Sequence, residues 1–440
     1  MFEKIKQLKR HAGFMRYFHN TSWLMGERIL RMGVGLFVGI WIARYLGPEQ
    51  FGLLSYAQSF VFLFTAIATL GLDGIVVREL VNDGNKRDVL LGTAFGLKLI
   101  GAFIILPILF LAVQLTNNDS HTNLLVFIIA SATIFQSFNV IDFYYQSKVL
   151  SKYVALTNTV VLALSSVVKI VFLLNEAPLL AFALMTVFDG LVLAMGLVCV
   201  YMKTSGFKLS SWVFNWVKAK SLLGDSWPLI LSSLVISIYM KIDQVMIKEM
   251  LDAELVGQYA AAARVSELWY FIPVVIANSI FPGIINAKKK GDNLYYQRMQ
   301  SLYDLMAWLA ILIMVPILFF SDEIVWLLFG YAYNQSGAVL SIHILAMVFI
   351  FLGVPSSKWG VVENMQKHAF YRSLAGLVLN LALNYFLIPM YSTQGAALAT
   401  LISYSFAAYF YNLTDRRLFV LFSLQTNALL LPFRKIGLKI

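Results

Sequence analysis

Long apolar segments alternate with short polar links along almost the whole chain. Stretches near 20 residues recur from Trp23 to about Leu413. Each is long enough to cross a bilayer whose apolar core is roughly 30 Å thick. The pattern predicts twelve spans, at about 21–43, 51–72, 89–115, 122–146, 153–174, 178–201, 227–248, 255–284, 300–320, 336–358, 369–388 and 393–413. External links are short, with none longer than about 15 residues, and only the sixth and eighth links have size on the other side. For residues 418–433 the pattern leaves a further, interfacial helix open. Composition agrees: 60% of residues are hydrophobic and the mean hydropathy is +0.75, well above a soluble domain.

Charge orients the spans. With the N-terminus placed in the cytoplasm, 25 of the 34 Lys and Arg fall on the cytoplasmic side. They include Lys4, Lys6, Lys9, Arg10 and Arg16 at the start and Arg434, Lys435 and Lys439 at the end. The external side holds only Arg44 and Lys248, both at span edges. This is the positive-inside pattern in every link, and an odd number of spans would break it. Both termini are therefore expected in the cytoplasm. The net charge of +11 reads mostly as anchoring against anionic lipid and makes no case for nucleic acid. The first apolar run is too long for a cleaved signal peptide and lacks a small-residue cleavage site. The single cysteine, Cys199, excludes an intramolecular disulfide and a cysteine-based metal site.

The chain also repeats itself. Leu46-Gly-Pro-Glu-Gln-Phe-Gly-Leu-Leu-Ser-Tyr-Ala57 follows span one, and Leu251-Asp-Ala-Glu-Leu-Val-Gly-Gln-Tyr-Ala-Ala-Ala262 follows span seven. Aligned without gaps, Leu46/Leu251, Glu49/Glu254, Gly52/Gly257 and Ala57/Ala262 coincide, at an offset of 205. Ala181–Thr186 in span six is echoed by Gly395–Thr400 in span twelve, at an offset of 214. The fold class predicted is all-α and polytopic, with about twelve transmembrane helices. They form two six-helix lobes related by a parallel repeat, at residues 1–218 and 219–440, with a central cavity between them. The seam falls in the basic, Trp-rich link 207–226, where Trp212, Trp216 and Trp227 read as an interfacial belt.

Ala43-Arg-Tyr-Leu-Gly-Pro-Glu-Gln-Phe-Gly52, within the stretch from Asn20 to Ala57, resembles the polysaccharide-transporter branch of the multidrug/oligosaccharidyl-lipid/polysaccharide exporter superfamily, the Wzx-type O-antigen flippases. Tyr239-Met-Lys-Ile-Asp-Gln-Val-Met246 and the Gly395-Ala-Ala start of span twelve look like that branch too. The resemblance covers essentially the whole chain. It implies a flippase that turns an undecaprenyl-diphosphate-linked oligosaccharide, such as an O-antigen unit of lipopolysaccharide, across the bacterial inner membrane by alternating access. It also implies coupling to H+ or Na+, and a polysaccharide polymerase and chain-length regulator as partners beside the membrane lipids.

Ionisable groups inside the spans are the best functional pointers. Arg28 and Arg31 share one face of span one, and Glu27, four residues before Arg31, can pair with it. Lys98 lies in span three, Lys241 and Asp243 in span seven, Arg264 and Glu267 in span eight, Asp189 in span six. Lys241 and Asp243, two apart, point to different faces. The cations Arg28, Arg31, Lys98, Lys241 and Arg264 outnumber nearby acids, which suits an anionic ligand such as a diphosphate. Arg28, Arg31 and Arg264 are the strongest candidates. Glu27, Asp189, Asp243 and Glu267 are candidates for ion coupling or for charge balance, Asp243 and Glu267 against Lys241 and Arg264, with Arg264–Glu267 as one local pair. Lys169 and Lys358 read as snorkelling, Asp142 as structural, and His343 as packed or solvated rather than a proton relay. No nucleophile triad, metal-ligand cluster or nucleotide-binding glycine loop is present, so neither cofactor nor catalytic residue is expected. A polytopic polymerase or ligase would need a larger outer loop rich in arginine, histidine or acid. A drug/cation antiporter would prefer an acidic or apolar cavity.

Overall fold

The computed structural model describes residues 12–432. The basic residues expected to anchor the two ends, Lys4 to Arg10 and Arg434 to Lys439, lie outside the described residues, as does the side chain of Arg16. Every regular element among the described residues is a helix. Among the described residues, ten helices are long and apolar enough to cross a membrane, and two of them run 61 residues, Ser22–Asn82, and 48 residues, Gln366–Leu413. A crossing takes ~20 residues, so each of these two covers a pair of the predicted spans, and the twelve crossings expected are present.

The paired spans are joined without a loop. Helix α1 (Ala12–Thr69) leaves helical geometry only at Gly47, with φ 70° and ψ 172°, followed by Pro48. Glycine tolerates that φ without strain, and proline withholds the N–H that a continuous helix needs. Spans eleven and twelve merge in the same way, into a helix over Gln366–Ala408 broken at Ser392 just after Pro389.

Two other spans are interrupted inside. In span four, α4 (Ser120–Ser131) and α5 (Val140–Ser147) flank a 3-10 stretch over Ala132–Asn139. In span eight, Ala253–Glu267 and Phe271–Lys290 flank a 3-10 turn over Leu268–Tyr270. Such tightened turns inside long helices often mark functional positions. The starts are conventionally capped. Asp119 accepts from Thr122 N at 3.0 Å and Asp252 from Leu255 N at 2.8 Å, each satisfying an orphan amide of a first turn.

Three short helices, Asp73–Asn82, Ser321–Phe329 and Phe419–Leu429, complete the described helices that the span pattern did not predict. The last is the helix left open for residues 418–433, and it spans Phe419–Leu429. It does not lie alone in an interface but is docked on its own unit. Gln300 Nε2 donates to Leu424 O at 3.0 Å, Trp308 Nε1 to Ala428 O at 3.0 Å, and the buried Gln425 amide to Ala408 O at 3.0 Å.

The chain divides into two compact units. One takes residues up to Tyr45 and Ala57–Ser237; the other takes Leu46–Tyr56 and residues from Ile238 on. The boundary expected at 218/219 falls instead near residue 237, because residues 216–237 pack on the first unit. Lys218 Nζ donates to Glu79 Oε2 at 2.6 Å, Arg78 pairs with Asp225, and a Cβ on Gly71 would lie 3.0 Å from the Leu229 side chain. The first unit's core is centred on Leu72, Leu90, Leu91, Tyr145 and Tyr201. Trp212 is packed against that core, 5.8 Å from the Tyr201 ring, and is not part of an exposed belt. Its link is pinned by Val213 N to Asp88 O at 3.2 Å and Asn215 N to Thr93 Oγ1 at 3.1 Å. Trp216 and Trp227 are exposed, as a belt requires.

In the second unit the two copies of the sequence repeat meet. A Cβ on Gly52 would lie 1.7 Å from Ala253 O, and a Cβ on Gly257 would lie 1.9 Å from Pro48 O. Gly52 and Gly257 are equivalent in the repeat, and so are Pro48 and Ala253. The contact is therefore reciprocal, as two duplicated helix starts crossing about a local two-fold would make it.

Candidate functional site

The charges inside the spans fall into two groups, one in each unit. In the first unit, Lys98 of α3 (Arg87–Val113) is buried and donates to Asp73 Oδ1 at 3.2 Å, with its ammonium 4.8 Å from the centre of the Phe143 ring. Asp142, Asp73, Glu27 and Lys98 lie within electrostatic reach of one another. Asp142 accepts from Gln146 at 2.9 Å through one oxygen, while the other is buried without a partner. Glu27 is buried and lies 3.2 Å from Arg31, whose side chain is 53% exposed. Arg28 is also exposed and makes no ion pair or hydrogen bond among the described residues. Farther along, Lys169 meets Asp189 at 2.7 Å. Lys169 is thus neutralised within the unit rather than snorkelling, and Asp189 is its counter-charge.

The second group is built on four helices: α8 (Trp216–Met250), α9 (Ala253–Glu267), α13 (Ser336–His343) and α15 (Gln366–Ala408). Lys241 Nζ donates to both oxygens of Glu267, at 3.0 and 2.9 Å. The expected Arg264–Glu267 pair does not form. Arg264 instead places its guanidinium 5.1 Å from the centre of the Phe51 ring. A cation inside a membrane costs about 2.5–3.5 kcal/mol, and a cation–π contact returns about 0.5–2. Arg264 therefore stays undercompensated where Lys241 does not.

Asp243 is 4% exposed. Three neutral donors reach it: Asn384 Nδ2 at 2.6 Å, Tyr259 OH at 2.8 Å and Thr400 Oγ1 at 2.5 Å. It does not neutralise Lys241, because residues two apart on a helix diverge, and no lysine or arginine among the described residues pairs with it. Around it, Asn384 also donates to Asn380 Oδ1 at 3.1 Å, and Asn384 Oδ1 has no partner. His343 is buried with Nδ1 3.0 Å from Ser266 Oγ and its ring 5.8 Å from Tyr259, a packed position. The arrangement offers one ionisable carboxylate, a hydroxyl pair and two amide oxygens in a small volume, an oxygen-rich set that suits a proton or a hard cation.

Residues 18–288 match the family described as "Polysaccharide biosynthesis protein", and residues 228–386 match the MatE family. The chain belongs to the polysaccharide biosynthesis protein family. Among curated proteins, it is 28% identical over 391 residues to "Probable low-salt glycan biosynthesis flippase Agl15" of Haloferax volcanii, covering 85% of this chain and 78% of that protein. Among solved structures, an inward-facing multidrug resistance MATE family transporter of the MOP superfamily superposes with TM-score 0.74 at 15% identity, covering 89% of this chain and 95% of that one. The lipid II flippase MurJ, in an inward closed conformation, superposes with TM-score 0.70 at 15% identity, covering 94% and 92%. These relatives are flippases and transporters, not enzymes. The fold of this polysaccharide biosynthesis protein is the multi-pass helical fold of the MOP superfamily.

Placed on that fold, the candidates separate. Lys98, Lys169 and Lys241 each have a carboxylate partner, so the surplus of cations expected from the sequence shrinks to Arg28, Arg264 and the exposed end of Arg31. The charge and span pattern of the sequence does not point to Asp73, Tyr259, Asn380, Asn384 or Thr400 as site residues. One signal was available: Asn380 and Asn384 are polar residues four apart within an otherwise apolar span, and so share a face.

Proposed function

We propose that this protein is a flippase for an undecaprenyl-diphosphate-linked oligosaccharide, an O-antigen unit or a similar repeat, acting in the bacterial inner membrane by alternating access. The observation that carries the reading is the match to a glycan-biosynthesis flippase along 85% of the chain, joined to the family match over 18–288. Arg28, Arg31 and Arg264 bind the diphosphate in this reading. They are the intramembrane arginines left without full compensation, and arginine meets phosphate oxygens with two parallel N–H donors. Lys98 and Lys241, already paired, hold their acids and tune the field around the ligand. Asp243 exchanges a proton or a sodium ion as the protein changes state. A polymerase and a chain-length regulator receive the product.

The arginines are tested by complementation of surface glycan. Arg31→Ala with Arg264→Ala should abolish glycan display at normal expression. Arg31→Lys should restore it only in part, because lysine keeps the charge and loses the paired donors. Full display by the double alanine variant would remove these residues from the binding site.

Both termini face the cytoplasm in this reading, which rests on the one-sided distribution of Lys and Arg. Single cysteines placed at positions 289 and 118 in a Cys199→Ala background test it in intact cells. An impermeant maleimide should label position 118 and spare 289. The reverse pattern would invert the orientation.

A further inference from the structure

A cavity of about 210 Å³ lies in the first unit, away from the intramembrane charges, between the start of α3 and the end of α5. Gly84, Arg87, Tyr144, Ser147, Lys148 and Phe207 line it. It is far larger than a single water requires. Its two charged wall residues are both cations, and they come from opposite ends of different helices. Asp88 takes Arg87 Nε and Nη2 at 2.7–2.9 Å, and Asp83 takes Lys86 at 2.8 Å. Arginine carries five N–H donors, so the Nη1 group of Arg87 keeps both of its own. The guanidinium lies over Phe207, 3.2 Å from the ring centre, a cation–π contact that helps to hold it in place. Opposite, the Lys148 ammonium lies beside Gly84, 3.6 Å from where a Cβ would be. The start of α3 adds the positive end of a helix dipole.

We propose that this cavity binds a phosphoryl group, and specifically the head group of an anionic phospholipid. Two cations, two hydroxyls and no carboxylate in the wall define a site for a compact anion. Leu80 and Phe207 give it an apolar side, and it opens at the ends of membrane spans, on the face that carries the basic links. Basic pockets at that level of a membrane protein take lipid phosphates. The site does not depend on the flippase reading.

Native mass spectrometry of the full-length protein, released from micelles containing phosphatidylglycerol or phosphatidylcholine, tests the assignment. The protein should retain phosphatidylglycerol in preference to phosphatidylcholine. Lys148→Gln should weaken that retention by about fivefold, the factor that accompanies about 1 kcal/mol per basic residue at an anionic surface. Lys148→Gln with Arg87→Lys should reduce it further, and Lys220→Gln, in a different basic link, should leave it unchanged. Displacement of the lipid by inorganic phosphate, with the same sensitivity to Lys148→Gln, would keep the phosphoryl site and assign a soluble source. Equal retention of the two lipids, or retention indifferent to Lys148→Gln, would overturn the proposal.

Discussion

Gly52→Ala should lower the stability of the detergent-purified protein by about 3 kcal/mol, at the upper end of the usual range for overpacking. The added Cβ would lie 1.7 Å from the carbonyl oxygen of Ala253, a distance that no side-chain rotation relieves, because both atoms are fixed to backbone. The two helix starts must move apart, and the buried contacts beside them loosen. Tyr56, whose hydroxyl donates to Glu249 at 2.9 Å, and Phe51, whose ring sits 6.2 Å from Tyr333, lie on the same short segment. Gly257→Ala should cost a similar amount by pressing on Pro48 O. Once one substitution has separated the helices, the second has less to displace. The pair should therefore cost less than the sum of the singles. Gly33→Ala, where nothing lies within 4 Å of the new methyl, should be neutral or stabilise, as alanine favours a helix by about 0.5–1 kcal/mol over glycine. The measurement is the temperature at which the protein leaves the monodisperse peak. Equal midpoints for Gly52→Ala and Gly33→Ala would show that the crossing is not packed as described.

Asp243→Asn should abolish the acceleration of transport by an ion gradient while leaving lipid-linked substrate binding in place. The substitution preserves shape and keeps an oxygen that Tyr259 and Thr400 can donate to, so the helices around it need not rearrange. It removes the carboxylate that those donors and Asn384 surround. Asp243 differs in this from Glu267, whose charge is committed to Lys241 at 2.9 and 3.0 Å. Truncating one member of that pair strands the other, at about 3–5 kcal/mol, and its effect should appear as lost protein rather than lost coupling. A sodium gradient and a pH gradient, applied separately, identify the ion. If wild-type transport responds to neither, Asp243 has no coupling role and its hydrogen bonds serve to join α8, α9 and α15.

Much of this architecture was legible in the sequence because bilayer thickness sets segment length. The repeat was legible too, and its most specific positions, Gly52 and Gly257, prove to be where the two copies touch. What could not be read was which charges meet. Arg264 and Glu267 are three apart on one helix, the spacing at which partners are expected. Glu267 instead takes Lys241, 26 residues away on a neighbouring helix, and only tertiary packing decides that. Lys98 meets Asp73 across 25 residues for the same reason. The joined spans were hidden because Gly47-Pro48 reads equally well as a turn between two helices or a kink within one. The short helix Ser321–Phe329 was too brief to register as an element beside spans twice its length.

The central claim is that this chain moves a diphosphate-linked oligosaccharide across a membrane. It is tested most directly with purified protein in sealed vesicles carrying undecaprenyl-diphosphate-linked oligosaccharide with a labelled sugar, scored by access of an impermeant glycosidase. Vesicles with the wild-type protein should make sugar from the protected leaflet accessible well above protein-free vesicles, and those with Arg31→Ala and Arg264→Ala together should fall back toward that background. Wild-type vesicles that protect their inner-leaflet sugar as completely as protein-free ones would contradict the account.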